Sequence, residues 1–175
     1  MILMGSVNYY SEFFAEFDAN LNSSSVPLLC WDFYYESIKE LKIFSSDLKK
    51  IQLISTQFKW NEIDFDIKER LMNEVIVITN AEQRIIFASE GISKMTGYNE
   101  KEVIGKFPKM FQGPKTSVVV LKEIRKAIEK KIPFEKTVVN YKKNGKTYDC
   151  TIHGFPVFNL KGELSHFIAF EKAAA

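Results

Sequence analysis

The distribution of apolar and polar positions divides the chain near Asn73 into a helical part and a part dominated by strands. In the first part, aromatic residues recur at intervals of three and four, which predicts a short amphipathic helix. These residues are Tyr10, Phe13, Phe14 and Phe17. The turn-rich segment Asn20–Pro27 predicts a break after it. We therefore expect an N-terminal helical extension, residues 1–72, before a separate domain, residues 73–172.

A second helix is predicted after the break, with an apolar stripe at offsets of four, seven and fourteen residues. The stripe consists of Phe44, Leu48, Ile51 and Phe58, with Leu41 and Ile54 beside it. It is too short to indicate a coiled coil. Two interpretations stay open: the helix packs on its own domain, or the stripe forms a homodimer interface.

After Asn73 the pattern changes to strands, then helices, then strands. A hairpin is predicted from two strand-like segments, the β-branched run Glu74–Thr79 and the apolar run Arg84–Ala88. A helix is expected over Ser117–Lys131, capped by Thr116 or Ser117. Three further strands are predicted: Phe134–Lys142, Thr147–Phe158 and Glu163–Lys172. This order predicts an α+β fold, a five-stranded antiparallel sheet with its helices on one face.

Composition narrows the function classes. The chain has 24 Lys and Arg against 22 Asp and Glu, a net charge of +2, so no basic face for nucleic acid is expected. Two cysteines, Cys30 and Cys150, imply no disulfide framework and fit a reducing cytoplasm. No apolar run reaches the roughly 18 residues of a membrane span. We therefore expect a cytoplasmic protein that binds neither nucleic acid nor membrane.

Three short motifs occur in order and with regular spacing: Thr96-Gly97-Tyr98, Glu102-Val103-Ile104-Gly105 and Phe111-Gln112-Gly113-Pro114. Together with Asn144-Gly145-Lys146 and Lys161-Gly162-Glu163-Leu164, they resemble the PAS family over about Asn73 to Lys172. Within that family they are most similar to the LOV (light-oxygen-voltage) branch. The resemblance implies a sensory and protein-interaction domain rather than an enzyme.

In the LOV branch, blue light joins a cysteine sulfur to a bound flavin mononucleotide. The resemblance places that cysteine at the fourth position of the segment beginning at Gly105, which here is Pro108, preceded by Phe107 in place of an asparagine. Adduct formation requires a thiol that becomes a nucleophile. We therefore expect no LOV adduct photochemistry.

The resemblance also implies which residues line the pocket. Gln112, Arg125 and Asn140 match flavin ligands of the family, with Arg125 and Lys109 on the phosphate and Asn140 on the ring edge. Two amides of the family are replaced, by Cys150 and by Glu171. An amide donates and accepts hydrogen bonds, whereas a carboxylate only accepts. We expect no cofactor, with flavin mononucleotide as the alternative.

Strand alternation indicates the same pocket independently of the family. On the predicted strand Thr147–Phe158, Tyr148, Cys150, Ile152 and Gly154 share the more apolar face, which we expect to point inward. On the neighbouring strands, Asn140 and Glu171 fall on the corresponding faces. The candidate pocket thus has apolar walls and a few polar groups, which is typical of a small-molecule site. A core filled by Phe107, Phe111 and Tyr148 has the same composition.

Other chemistry finds no support. Neither His153 nor His166 falls on the helices that carry the axial ligand in haem-binding PAS domains, and no catalytic or metal-ligating constellation has workable spacing. Three functions remain: a signalling module acting through a homodimer or an unidentified partner protein, which we favour; a cysteine-less flavin photoreceptor or redox sensor; and a sensor of another small metabolite.

Overall fold

The computed structural model describes residues 29–61 and 65–174. The predicted helix at Tyr10–Phe17 and the break at Asn20–Pro27 lie outside the described residues. The elements in chain order are α1 Leu29–Gln57, α2 Ile67–Asn73, β1 Val75–Asn80, β2 Ile85–Ala88, α3 Gly91–Thr96, α4 Glu100–Val103, a 3-10 helix Pro108–Phe111, α5 Val118–Lys130, β3 Phe134–Tyr141, β4 Thr147–Phe158 and β5 Leu164–Ala173. Contacts divide the chain after Glu40, within α1, and the unit Leu41–Ala175 contains the whole sheet.

The five strands form one antiparallel sheet, as the sequence predicts, and the structure gives their order as β2-β1-β5-β4-β3. Strand β5 lies at its centre and pairs with β1 on one side and β4 on the other. Because β1 is also central, its residues are buried on both faces, which explains its unbroken run of β-branched side chains. The predicted sheet is confirmed, and each of its strand boundaries lies within two residues of its prediction.

One face of the sheet packs against α3, α4 and α5, and we call the apolar core there the inner-face cluster. Its buried members are Val75, Val77, Ile85, Ala88, Ile92, Met95, Val103, Phe111, Val138 and Cys150. Helix α5 begins at the cap residue Ser117, whose hydroxyl accepts from the Val120 N–H at 3.4 Å. Helix α4 begins with a capping box between Asn99 and Glu102. These helices and the sheet enclose the region in which the sequence places a pocket.

The opposite face of the sheet is covered by the end of α1, by α2, and by Trp60 and Phe65 between them. Its buried apolar core, the outer-face cluster, contains Ile51, Ile76, Ile78, Phe87, Val157, Ile168 and Phe170. Of the predicted helical stripe, Ile51 is buried in this cluster and Ile54 packs against it. Phe44 and Leu48 are half-buried, while Leu41 and Phe58 are 45% and 42% exposed. The second half of the stripe therefore packs on its own domain.

Polar contacts fix the part of α1 that follows Glu40 to the rest of the unit Leu41–Ala175. Asp47 is buried, and its carboxylate accepts a hydrogen bond from the Glu90 N–H at 2.8 Å, just before α3. Lys50 bonds both carboxylate oxygens of Glu100 at 2.8 and 2.9 Å. Burial raises the pKa of Asp47, and the N–H bond and Lys50 oppose that rise. Hydrogen bonds and an ion pair thus attach this part of the helix to the segment around α3 and α4, in addition to its apolar packing.

Candidate functional site

Four polar side chains meet on the inner face of the sheet, and we call them the inner polar cluster: Asn140, Tyr148, Cys150 and Glu171. Three strands position them. Asn140 on β3 lies directly opposite Tyr148 on β4, and Glu171 on β5 lies opposite Ile152 on β4. The predicted strand alternation is confirmed here, since Val138, Cys150 and Ile152 belong to or contact the inner-face cluster.

The inner polar cluster is shielded from solvent. Cys150 is fully buried, Asn140 is 4% exposed and Glu171 is 6% exposed. The Cys150 thiol donates to the Glu171 carboxylate, with Sγ 3.7 Å from Oε2. Thiols are weak donors, so this contact compensates the carboxylate only in part. The buried carboxylate is the dominant electrostatic feature of the site.

Burial raises the pKa of Glu171 to about 7, and the hydrogen bond from Cys150 opposes that rise. A carboxyl group in a nonpolar environment favours its neutral form because the ion loses its hydration. Burial, together with the neighbouring Glu171, also raises the pKa of the Cys150 thiol well above its ordinary value. The cluster therefore holds a carboxyl group that changes charge near neutral pH and a thiol that stays protonated.

The Tyr148 hydroxyl is buried without a hydrogen-bond partner among the described residues. Burial raises its pKa, the nearby Cys150 and Glu171 add to the rise, and the neighbouring Asn140 side chain opposes it. Buried polar groups without partners are rare in folded proteins, because each loses its bonds to water. The Tyr148 hydroxyl is therefore an unusual feature of the inner polar cluster, with Asn140 as its polar neighbour.

The remaining predicted site residues lie apart from this cluster. Phe107, Lys109 and Arg125 are exposed, and the Phe107 ring lies beneath the Arg84 guanidinium at 4.4 Å. Gln112 is half-buried just after the 3-10 helix. The structure thus brings Asn140, Cys150, Ile152 and Glu171 together and leaves the candidate phosphate ligands at the surface.

Apolar side chains close around the inner polar cluster. Phe111 is buried, and its ring meets the Tyr98 ring edge-on with centroids 5.9 Å apart. Met110 and the ring of Tyr148 pack against the inner-face cluster. At the other end of β4, the Phe134 ring covers Gly154 so closely that a Cβ there has no room. Of the three aromatic residues expected to fill the core, Phe111 and Tyr148 lie in it and Phe107 does not.

Sequence reasoning missed one polar contact on the other side of the sheet. The Trp60 Nε1–H donates to Nδ1 of the buried His166 at 3.0 Å. The two residues are 106 positions apart, so no local pattern could pair them. The available signal was a histidine on an otherwise apolar face of a central strand.

Two absences apply to the described ranges, 29–61 and 65–174. They contain no group of three or more His, Cys, Asp or Glu side chains that could hold a metal ion. None of their helices is both long and apolar enough to cross a bilayer.

Comparison with known proteins places this geometry in a family. The chain is 42% identical over 88 residues to Protein TWIN LOV 1 of Arabidopsis thaliana, covering 50% of this chain and 22% of that protein. It is 32% identical over 122 residues to a blue-light-activated histidine kinase of Brucella anthropi, covering 68% of this chain and 25% of that protein. The chain thus spans about a quarter of the length of these relatives.

The dark structure of the LOV domain of the blue-light photoreceptor Aureochrome1 matches with a TM-score of 0.59 and 25% identity, over 66% of this chain and 87% of that one. The family profile described as "PAS domain" matches residues 73–172, which include β1 to β4 and all but the last residue of β5. This chain belongs to the PAS domain family.

Proposed function

We propose that this chain is a PAS sensory module that signals through protein contacts and does not form a cysteine–flavin adduct. The observation that carries the proposal is Pro108, which opens the 3-10 helix at the position where the resemblance places the adduct cysteine. Proline offers no nucleophile there. The domain boundary that we expect between residues 72 and 73 is part of this proposal.

Cys150 does not replace the missing cysteine in this proposal. Its thiol is buried on β4, points toward Glu171 and has a strongly raised pKa. The thiolate is the reactive form of cysteine, and a raised pKa leaves almost none of it at neutral pH. Cys150 serves the site as a small buried side chain with a weak donor.

A second candidate function is a flavin-binding sensor that works without an adduct. It is favoured by the unpartnered Tyr148 hydroxyl and by Asn140, which offers a donor and an acceptor at the inner face. A flavin ring presents one N–H donor and several acceptors along its polar edge, so it requires donors from the protein. Glu171 supplies a donor only when it is protonated. The inner polar cluster therefore fits a flavin ring when Glu171 is protonated. It disfavours binding of the ring when Glu171 is ionised.

Absorption spectroscopy decides between the two functions. We expect protein purified from riboflavin-supplied cells, and protein refolded with flavin mononucleotide, to lack a structured flavin band at pH 8. The double variant Cys150→Asn with Glu171→Gln restores the two amides that the LOV branch carries, and it is the matched control for a pocket able to accept the ring. A flavin band in the unmodified chain at pH 8 would contradict the main proposal and establish the second candidate.

We propose that the signal leaves through a homodimer or a partner protein that contacts α1. The second half of the apolar stripe is occupied within the domain, which leaves Leu41, Phe44 and Leu48 as the part with exposed surface. A row of apolar side chains that keep part of their surface exposed is typical of an interaction surface.

The dimer is tested by substitution on two sides of α1. We expect Leu48→Asp to convert a dimer to a monomer in light scattering after size exclusion, because a charge there is costly to bury. Leu53→Asp is the control, since Leu53 is 69% exposed and lies outside the stripe. A monomeric mass for the unmodified chain, or a dimer that survives Leu48→Asp, contradicts this interface.

A further inference from the structure

The segment Phe58–Asn61, which follows α1, forms backbone hydrogen bonds with the turn between β4 and β5. Trp60 forms an isolated antiparallel bridge with Asn159. The Asn61 N–H donates to the Phe158 carbonyl at 2.8 Å, and the Leu160 N–H donates to the Lys59 carbonyl at 2.9 Å. We call Phe58–Asn61 the latch segment.

The latch segment reaches its place through a sharp change of backbone direction. Lys59 has φ 50°, in the left-handed region that ends many helices. The Trp60 N–H then donates back to the Ser55 carbonyl at 2.9 Å. The helix therefore stops abruptly, and the Trp60 side chain is directed onto the outer face of the sheet.

There Trp60 meets His166 on the central strand β5. His166 is 2% exposed, and its Nδ1 accepts the Trp60 Nε1–H at 3.0 Å. The Ser165 hydroxyl lies 2.7 Å from the same nitrogen, and the Phe58 ring meets the imidazole edge-on at 4.5 Å. An indole nitrogen only donates, so Nδ1 must carry no proton in this arrangement. The geometry thus requires a neutral imidazole.

The groups around the imidazole offer no charge to an imidazolium. Trp60 and Phe58 face it from the latch segment and Ser165 from its own strand, while Val157 and Asn80 are its backbone neighbours on β4 and β1. None of these is ionisable near neutral pH. On the adjacent turn, Lys161 and Glu163 are exposed, and Glu163 accepts from the Asn159 amide at 3.0 Å.

We propose that His166 and Trp60 form a pH-sensitive latch, in which protonation of His166 releases the latch segment from the sheet. A proton on Nδ1 removes the acceptor that Trp60 uses. It also places an unpaired charge among apolar groups, which favours an open form in which water reaches the ring. Because the latch segment joins α1 to the sheet, its release frees the C-terminal end of the helix, whose earlier turns carry the proposed signalling surface Leu41, Phe44 and Leu48.

The expected pH range follows from linkage. Burial lowers the pKa of His166 in the closed form below its ordinary value. The open form therefore binds the proton more readily, and acid shifts the balance toward it below about pH 6.5. Between the pKa of His166 in the closed form and its pKa in the open form, the population of the open form rises about tenfold for each unit by which pH falls.

The test uses the full chain with Trp31→Phe, because the chain has two tryptophans and this change leaves Trp60 as the sole indole. We expect its emission to fall and shift to the red between pH 7 and 5 while the far-ultraviolet circular dichroism stays constant. Over the same range, hydrogen exchange at the Asn61 and Leu160 amides, corrected for the intrinsic rate, should accelerate about tenfold per unit of pH.

Variants separate the latch from general acid effects. His166→Asn places an amide oxygen near the position of Nδ1, which keeps an acceptor that does not titrate, so both profiles should become flat. His153→Asn, at the chain's other histidine, should leave them unchanged. The proposal is overturned if the profile survives His166→Asn, if His153→Asn abolishes it, or if circular dichroism is lost together with the emission.

A measurement on the unmodified chain does not depend on any variant folding. In the closed form, the nitrogen resonances of His166 should show an unprotonated Nδ1 and a protonated Nε2 at pH 7.5. A proton on Nδ1 at that pH contradicts the proposed latch.

Discussion

Glu171→Gln should raise the free energy of unfolding at pH 8 by on the order of 3 kcal/mol and leave it nearly unchanged at pH 4.5. The folded pKa of Glu171 is about 7, whereas its ordinary value is 4.5. Between these pH values the folded chain retains a proton on Glu171 that the unfolded chain has lost. The free energy of unfolding therefore declines as pH rises through this range. Above pH 7 the buried carboxylate is ionised, and the folded state bears the whole cost of its dehydration.

Urea denaturation at intervals between pH 4.5 and 8.5 measures this difference, and each variant is compared with the unmodified chain at the same pH. Glu135→Gln is the control, because the Glu135 side chain is 73% exposed on β3. We expect that substitution to shift the curve by less than about 0.5 kcal/mol. An equal difference at all pH values for Glu171→Gln would contradict the prediction, because it would show that the carboxyl group has the same pKa in the folded and the unfolded chain.

Phe170→Ala should destabilise the fold by about 3–5 kcal/mol, the range for removing a large aromatic side chain from a core. Phe170 is 1% exposed on the outer face of the central strand. The rings of Phe65 and Phe155 lie 5.9 Å from its ring, and the Arg70 guanidinium lies 4.2 Å from its centroid. The cavity would therefore open between α2 and the sheet, where two aromatic contacts and a cation–π contact meet.

Phe107→Ala is the matched control for that substitution, because it removes the same atoms from a side chain that is 44% exposed. Its expected cost is about 1 kcal/mol, mostly from the contact with Arg84. Thermal or chemical denaturation at pH 7 compares the two variants. Similar costs for both would contradict the assignment of Phe170 to the outer-face cluster.

The sheet could be predicted from the sequence because its signals are local. The predicted strand Thr147–Phe158 has the bounds of β4, since alternation and the flanking turns fix both ends. The same alternation correctly predicts that Cys150 and Glu171 lie on the inner face. The alternation of apolar and polar residues and the residue preferences of turns act over a few positions, so they can be recognised in a single sequence.

The remaining features depend on contacts distant in sequence. The resemblance aligned Phe107 with a pocket residue, yet its ring lies outside, because the proline that follows begins a 3-10 helix and Arg84 offers a surface to stack on. The stripe on α1 showed that the helix has an apolar face and not which surface it covers. That surface is the outer face of the sheet, which β1 and β5 create jointly.

Strand β5 carries two buried ionisable groups on opposite faces, His166 outward and Glu171 inward. Their responses to acid have opposite signs: as pH falls from about 6.5 toward 4.5, Glu171 favours the folded chain and His166 disfavours it for as long as its imidazole stays neutral there. The two trends compensate in a measurement of global stability. The unmodified chain can therefore show a free energy of unfolding that is level across mildly acidic pH, while the contributions of His166 and Glu171 change in opposite directions. Substituting either residue alone then reveals the response of the other.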